Sequence, residues 1–193
     1  MPVAQGSLAG NQVAPQVTFA GGIALVWFLG LIPLANWMIG HVGTVCPPDG
    51  PCLVPVAPGI MAPSGVLTVG AVLVLRDVVQ RCLGLPWGIG AILAGTLLSV
   101  LVAPGSLVIA SGTAFLMSEL ADFGVYTPLQ RRRLVLAVIA SSGVGLTIDS
   151  IVFLSLAFGS LHFLAGQVVG KLWAVLVSIP FIRLLRRAAP SPA

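Results

Sequence analysis

Charge is what this sequence has least of: 7% of its 193 residues are Asp, Glu, Lys or Arg, against about 25% in an ordinary soluble domain. Too few charged side chains exist to coat a soluble surface, which excludes a soluble globular enzyme. Disorder is excluded too, because disordered chains are polar and charge-rich. No Walker A loop is present, so the chain does not itself hydrolyse ATP, and HExxH and GxSxG are also missing. No TVGYG-like filter appears, which argues against a potassium channel. The two histidines, His41 and His162, fall at the outer ends of apolar runs, so no His pair is set to anchor a metal. No catalytic residue, metal or cofactor is therefore expected. Three cysteines are too few for a disulfide scaffold.

What is abundant is apolar: 58% hydrophobic residues and a mean hydropathy of +1.09. That composition specifies an integral membrane protein. A membrane helix needs about 20 apolar residues, so the chain holds at most about six or seven spans. Six are expected, over residues 17–40, 59–79, 86–103, 106–126, 134–158 and 163–184. They form one transmembrane domain, 17–187, between a flexible tail at 1–16 and a C-terminal tail at 188–193. Residues 41–58, with Pro47, Pro48, Pro51, Pro55 and Pro58, read as a loop. Pro104-Gly105 divides a long uncharged stretch, and Arg131-Arg132-Arg133 is a charged stop. The fold class is thus an all-α, six-helix membrane bundle.

The net charge of +4 would suggest nucleic acid in a soluble protein. Here it reports topology instead. Arg76 and Arg81 flank the 2–3 connection, Arg131, Arg132 and Arg133 the 4–5 connection, and Arg183, Arg186 and Arg187 the C-terminal end. The loops on the other side carry no Lys or Arg, and Lys171 is inside a span. Positive residues gather on the cytoplasmic side, so both termini are expected there. Cys46 and Cys52 then lie in the outward loop, where disulfides are permitted. The segment Cys-Pro-Pro-Asp-Gly-Pro-Cys is long enough to close a small ring, and the sequence leaves that pairing open.

An ionisable group inside a bilayer costs at least about 2.5–3.5 kcal/mol on insertion scales, so such groups point to function. Glu119, Asp122 and Tyr126 recur at i, i+3 and i+7, on one face of span 4. Two carboxylates one turn apart repel, so one keeps a proton or finds a cation. Arg76 and Gln80 are an i, i+4 pair ending span 2, beside Asp77; Gln167 and Lys171 are another in span 6. At about 1.5 Å per residue, Lys171 and Asp149 reach similar depths, so an ion pair between them is expected. The same charges also have plain readings, as Arg76–Asp77 snorkelling and a Lys171–Asp149 helix clamp. Taken together, Arg76, Gln80, Glu119, Asp122, Tyr126, Asp149, Gln167 and Lys171 outline a polar pocket, with Trp37, Phe115, Phe153 and Trp173 as nearby aromatics. Carboxylates accept paired N–H donors, amides read carbonyls and aromatics stack on flat rings. That chemistry suits a small planar heterocycle.

Four segments resemble a known family. Leu75-Arg76-Asp77-Val-Val-Gln80-Arg-Cys-Leu-Gly84 is similar to the span 2 signature of the vitamin uptake transporter family, also described as queuosine precursor transporters. Ser118-Glu119-Leu-Ala-Asp122-Phe-Gly-Val-Tyr126-Thr-Pro128 resembles its span 4. Asp149-Ser150-Ile-Val-Phe153 with Leu156-Ala157-Phe158 resembles its span 5, and Gln167-Val-Val-Gly-Lys171 with Pro180 its span 6. The resemblance covers roughly residues 58–187. It implies a multi-pass importer of the bacterial inner membrane, shaped like the substrate-binding subunits of energy-coupling-factor transporters but without an obligatory ATPase module. The implied substrate is 7-cyano-7-deazaguanine or a related 7-deazaguanine, moved by alternating access. A deazaguanine presents N1–H beside an exocyclic amine; Glu119 or Asp122 would accept both, and Gln167 or Gln80 would serve the ring carbonyl. The expected partners are this heterocycle and the lipid bilayer, with no nucleic acid, and homo-oligomerisation is left open. Two rivals stand: a binding subunit that needs a separate ATPase, for which Ala20-x-x-x-Ala24 is the one docking feature, and a non-transporting assembly or scaffold protein.

Overall fold

The structure, a computed structural model, describes residues 15–48 and 50–188. The expected tails at 1–16 and 188–193 lie almost wholly outside them. Six long helices follow in order: α1 (Pro15–His41), α2 (Val66–Leu83), α3 (Leu85–Val102), α4 (Val108–Leu129), α5 (Leu134–Phe158) and α6 (Leu164–Ala188). Helices are what an apolar chain must form in lipid, where each backbone group has to be satisfied within its own segment. Five of them (α1, α3, α4, α5 and α6) are long and apolar enough to cross a membrane. The remaining helix, α2, matches α3 in length at 18 residues but carries Arg76, Asp77 and Arg81.

The connections follow the sequence signals. Gly84 joins α2 to α3 at φ 96°, a left-handed conformation that glycine adopts without strain, and Pro86 follows within the first turn of α3. Pro104 and Gly105 lead into a short 3₁₀ turn before α4. The three arginines make the turn before α5, and Gly159 ends α5 at φ 62°.

The bundle is organised around α2. Its residues 76–82 are all buried, so neighbours enclose its inner half on every side; it packs on α1, α3, α4, α5 and α6. Small residues allow close approach at these seams. A Cβ at Gly70 would stand 2.7 Å from the Lys171 carbonyl of α6, and one at Gly145 of α5 would stand 3.1 Å from Asp122 Cβ. The outer surface is apolar, with Phe19, Val26, Leu101, Ile109 and Val177 strongly exposed. That inversion, with apolar side chains out and charges in, is the pattern of a protein solvated by lipid.

One expectation needs correction. The second span was placed at 59–79, but the helix runs Val66–Leu83, because residues 60–63 pair with 53–57 as an antiparallel hairpin, β1 (Leu53–Ala57) with β2 (Ile60–Pro63). The region 41–58 is therefore not a plain loop. Gly59 turns the hairpin at φ 72°. Cys46 and Cys52 are disulfide-bonded, which settles the pairing the sequence left open. The Cys52 amide donates to the Ile39 carbonyl, and the Ser64 amide to the Cys52 carbonyl, tying the hairpin base to α1. The hairpin then lies along α6: Met61 and Ala62 face Gly166, Val56 faces Gly170, and Trp173 Nε1 donates to the Val56 carbonyl at 3.0 Å.

Candidate functional site

The eight polar residues expected to form one pocket separate into two buried groups and a cavity. The first group is built on Arg76. Its Nε donates to Glu119 Oε2 at 3.0 Å, its Nη1 to Gln80 Oε1 at 3.0 Å, and its Nη2 to Asp122 Oδ1. Asp77 Oδ1 lies 3.0 Å from Nη1. The guanidinium carbon stands 5.7 Å from the Phe123 ring centroid and 5.6 Å from that of Tyr126, within cation–π range. Around this centre, Gln80 Nε2 donates to Thr127 Oγ1, Tyr126 Oη to the Asp77 carbonyl, and Ser141 Oγ to Asp77 Oδ2. The i, i+3, i+7 face of α4 is thus real and points at one cation on α2. Arg76 is 0% exposed, so it pairs inside the bundle and does not snorkel. Burial of this kind is tolerable only for charges that are paired and hydrogen-bonded.

The second group joins α5 to α6. Lys171 Nζ donates to Asp149 Oδ2 at 2.5 Å and to Ser150 Oγ at 2.9 Å. This is the ion pair that the matched depths predicted.

The cavity, of about 70 Å³, opens in the half of the bundle nearer the hairpin. Aliphatic side chains of α1 and α2 form much of its wall, and Phe115 and Phe153 face it from α4 and α5. Asn36, Ser99, Ser111, Asp149 and Gln167 supply its polar groups. Ser111 Oγ lies 3.4 Å from Asn36 Oδ1, donating to it. Of the eight residues, only Asp149 and Gln167 line this space; Lys171 touches it through Asp149. Arg76, Gln80, Glu119, Asp122 and Tyr126 do not line it. Trp37 and Trp173, grouped with the pocket aromatics, are both about half exposed on the outside of the bundle.

Asn36 and Ser99 were not singled out in the sequence. Asn36 had a visible signal, an amide inside an otherwise apolar span. Ser99 had none, since serine is common at helix contacts. Asp77 was noted only as a neighbour of Arg76, yet it is 0% exposed and belongs to the cluster. Ala24, half of the expected docking pair, is 4% exposed and packed in the core, so Ala20-x-x-x-Ala24 does not present two small residues to a partner. Among the described residues, no group of three His, Cys, Asp or Glu side chains is arranged to hold a metal ion.

No curated protein and no solved structure matches the chain. Residues 96–185 match the family model described as "putative vitamin uptake transporter". The match takes in α4 and α5 and most of α6, hence Glu119, Asp122, Asp149, Gln167 and Lys171. By that match, over a little under half of the chain, this multi-pass membrane protein is similar to the vitamin uptake transporter family.

Proposed function

We propose that the protein imports a queuosine precursor, 7-cyano-7-deazaguanine or a related 7-deazaguanine, across the bacterial inner membrane by alternating access. Both termini are cytoplasmic in this reading, and the substrate enters from the hairpin side. The observation that carries the proposal is the cavity between Phe115 and Phe153, with two amides, two hydroxyls and one carboxylate around an apolar wall. A flat ring fits between phenyl groups. A carboxylate accepts a side-by-side pair of N–H groups, and amides serve both a carbonyl and a ring nitrogen. The acid assigned to the N–H pair changes accordingly. Glu119 and Asp122 are engaged by Arg76 away from the cavity, whereas Asp149, which holds Lys171 through Oδ2, lines it. Asp149 accepts the donors, and Gln167 and Asn36 read the rest of the ring edge. In this reading the Arg76 cluster beneath them is the barrier that seals the site on its cytoplasmic side.

The experiment is thermal unfolding of the detergent-purified protein with 7-cyano-7-deazaguanine, and with guanine and riboflavin as controls. Ligand at about 100 times its Kd stabilises the folded state by about 2.7 kcal/mol. A selective shift for the deazaguanine, lost in Gln167→Ala, is expected. Equal shifts with all three compounds, or none, would remove the substrate assignment and leave the family likeness standing.

A further inference from the structure

The interior of the bundle carries one negative charge too many. Among the described residues, four acids are enclosed or nearly so: Asp77, Glu119, Asp122 and Asp149. Three cations accompany them: Arg76, Arg81 and Lys171. Lys171 is engaged by Asp149 on the α5–α6 side. That leaves Arg76 and Arg81 on α2 with three carboxyls, from α2 and α4. Tyr126 of α4 and Cys82 of α2 are the other ionisable groups of this half. The described part of α1 has only His41, at its outer end, and α3 has none.

The geometry shows where the excess resides. Asp77 and Asp122 both touch the guanidinium of Arg76, through Nη1 and Nη2 respectively. Two carboxylates thus converge on the two terminal nitrogens of one guanidinium. Asp122 Oδ2 and Glu119 Oε1 are buried and receive no hydrogen bond, and Asp77 Oδ1 has only its ion pair with Arg76 Nη1. An ionised carboxylate is an acceptor only, so two of them on one guanidinium have nothing to share. One proton turns one of the pair into a donor, gives an orphaned oxygen a partner and removes the surplus charge. A metal ion fits poorly, because the guanidinium already occupies the point on which the acids converge. We infer that the Arg76 cluster is a one-proton binding site, with the proton held between Asp77 and Asp122. The inference goes beyond the transport reading and does not depend on its substrate. If that reading holds, this is the site of the coupling ion.

The test is infrared spectroscopy of the full-length wild-type protein in lipid vesicles at neutral pH, with no added substrate. A protonated carboxyl has a C=O stretch well separated from carboxylate and amide bands. One such band is expected, shifted in heavy water, shifted again when aspartate carries a heavy-isotope carboxyl carbon, and lost in Asp77→Asn and Asp122→Asn. Isotope labelling keeps the test decisive should either variant fail to fold. Absence of the band from the wild type overturns the inference. So does a band that moves only with labelled glutamate, which would put the proton on Glu119. Sodium-dependent thermal stabilisation without any such band would make the cluster a cation site and likewise sink it.

Discussion

Arg76 shows what a single residue does in a low-dielectric setting. It is the hub of the cluster, and without it Asp77, Glu119 and Asp122 face one another around an empty centre. Breaking a buried ion pair from one side costs about 3–5 kcal/mol, much of it the stranded partner. Arg76→Ala is therefore expected to lower thermal stability by that order, and Arg76→Lys to recover only part, since an ammonium cannot reproduce the fork that meets two acids at once. Unfolding in detergent checks both; an alanine variant as stable as the wild type would mean the acids are already neutral without Arg76. Lys171 and Asp149 allow a sharper separation of structure from function. Lys171→Met alone strands Asp149, while Lys171→Met with Asp149→Leu replaces the pair by apolar side chains of similar volume. The double variant is expected to regain most of the lost stability yet not the ligand-induced shift. Recovery of both would reduce the pair to a clamp. At this scale much was legible: charges in an apolar run announce themselves, and the spacing of Glu119, Asp122 and Tyr126 placed them on one face. Their partner on α2 was not legible, because it is set by how two helices pack and not by any spacing along one of them.

Elements were read best where their limits are local. Residues 134–158 were expected as a span and α5 occupies those residues, since the arginines before it and Gly159 after it are local stops. The start of α2 was misread for the opposite reason. Residues 60–63 are as apolar as the helix they precede, and what makes them a strand is pairing with 53–57. The cavity was hidden for a similar reason, as most of its wall is ordinary Ile, Val and Ala. The close helix seams yield a contrast between two glycines. Gly70 has the Lys171 carbonyl where a side chain would go, whereas nothing stands within 4 Å of a Cβ at Gly30. Gly70→Leu is expected to abolish folding or cost several kcal/mol by overpacking. Gly30→Ala is expected to be neutral or to stabilise by up to about 1 kcal/mol through helix propensity. Yield and thermal midpoint of the two variants decide it; equal behaviour would mean that α2 and α6 do not approach as described.

For the molecule as a whole, the asymmetry of charge and the position of the disulfide are the two observations behind the proposed orientation. Arg131, Arg132 and Arg133 precede α5 and Arg183 is in the last turns of α6, all four exposed at one end of the bundle. Cys46 and Cys52 are at the other end, under the hairpin. Positive charge is retained in the cytoplasm by the insertion process. A disulfide persists only where thiols are not kept reduced, which means outside it. Closing so small a ring stabilises by about 2 kcal/mol on loop-entropy grounds, so a mild reductant is expected to lower the thermal midpoint of the purified protein. After reduction in intact cells, a membrane-impermeant maleimide should label Cys46, which is exposed, and spare Cys82, which is buried on α2 near the arginine end. Labelling that requires broken cells would invert the orientation. The hairpin and its cavity would then face the cytoplasm, and the same architecture would describe an exporter, or an importer caught in its inward-open state.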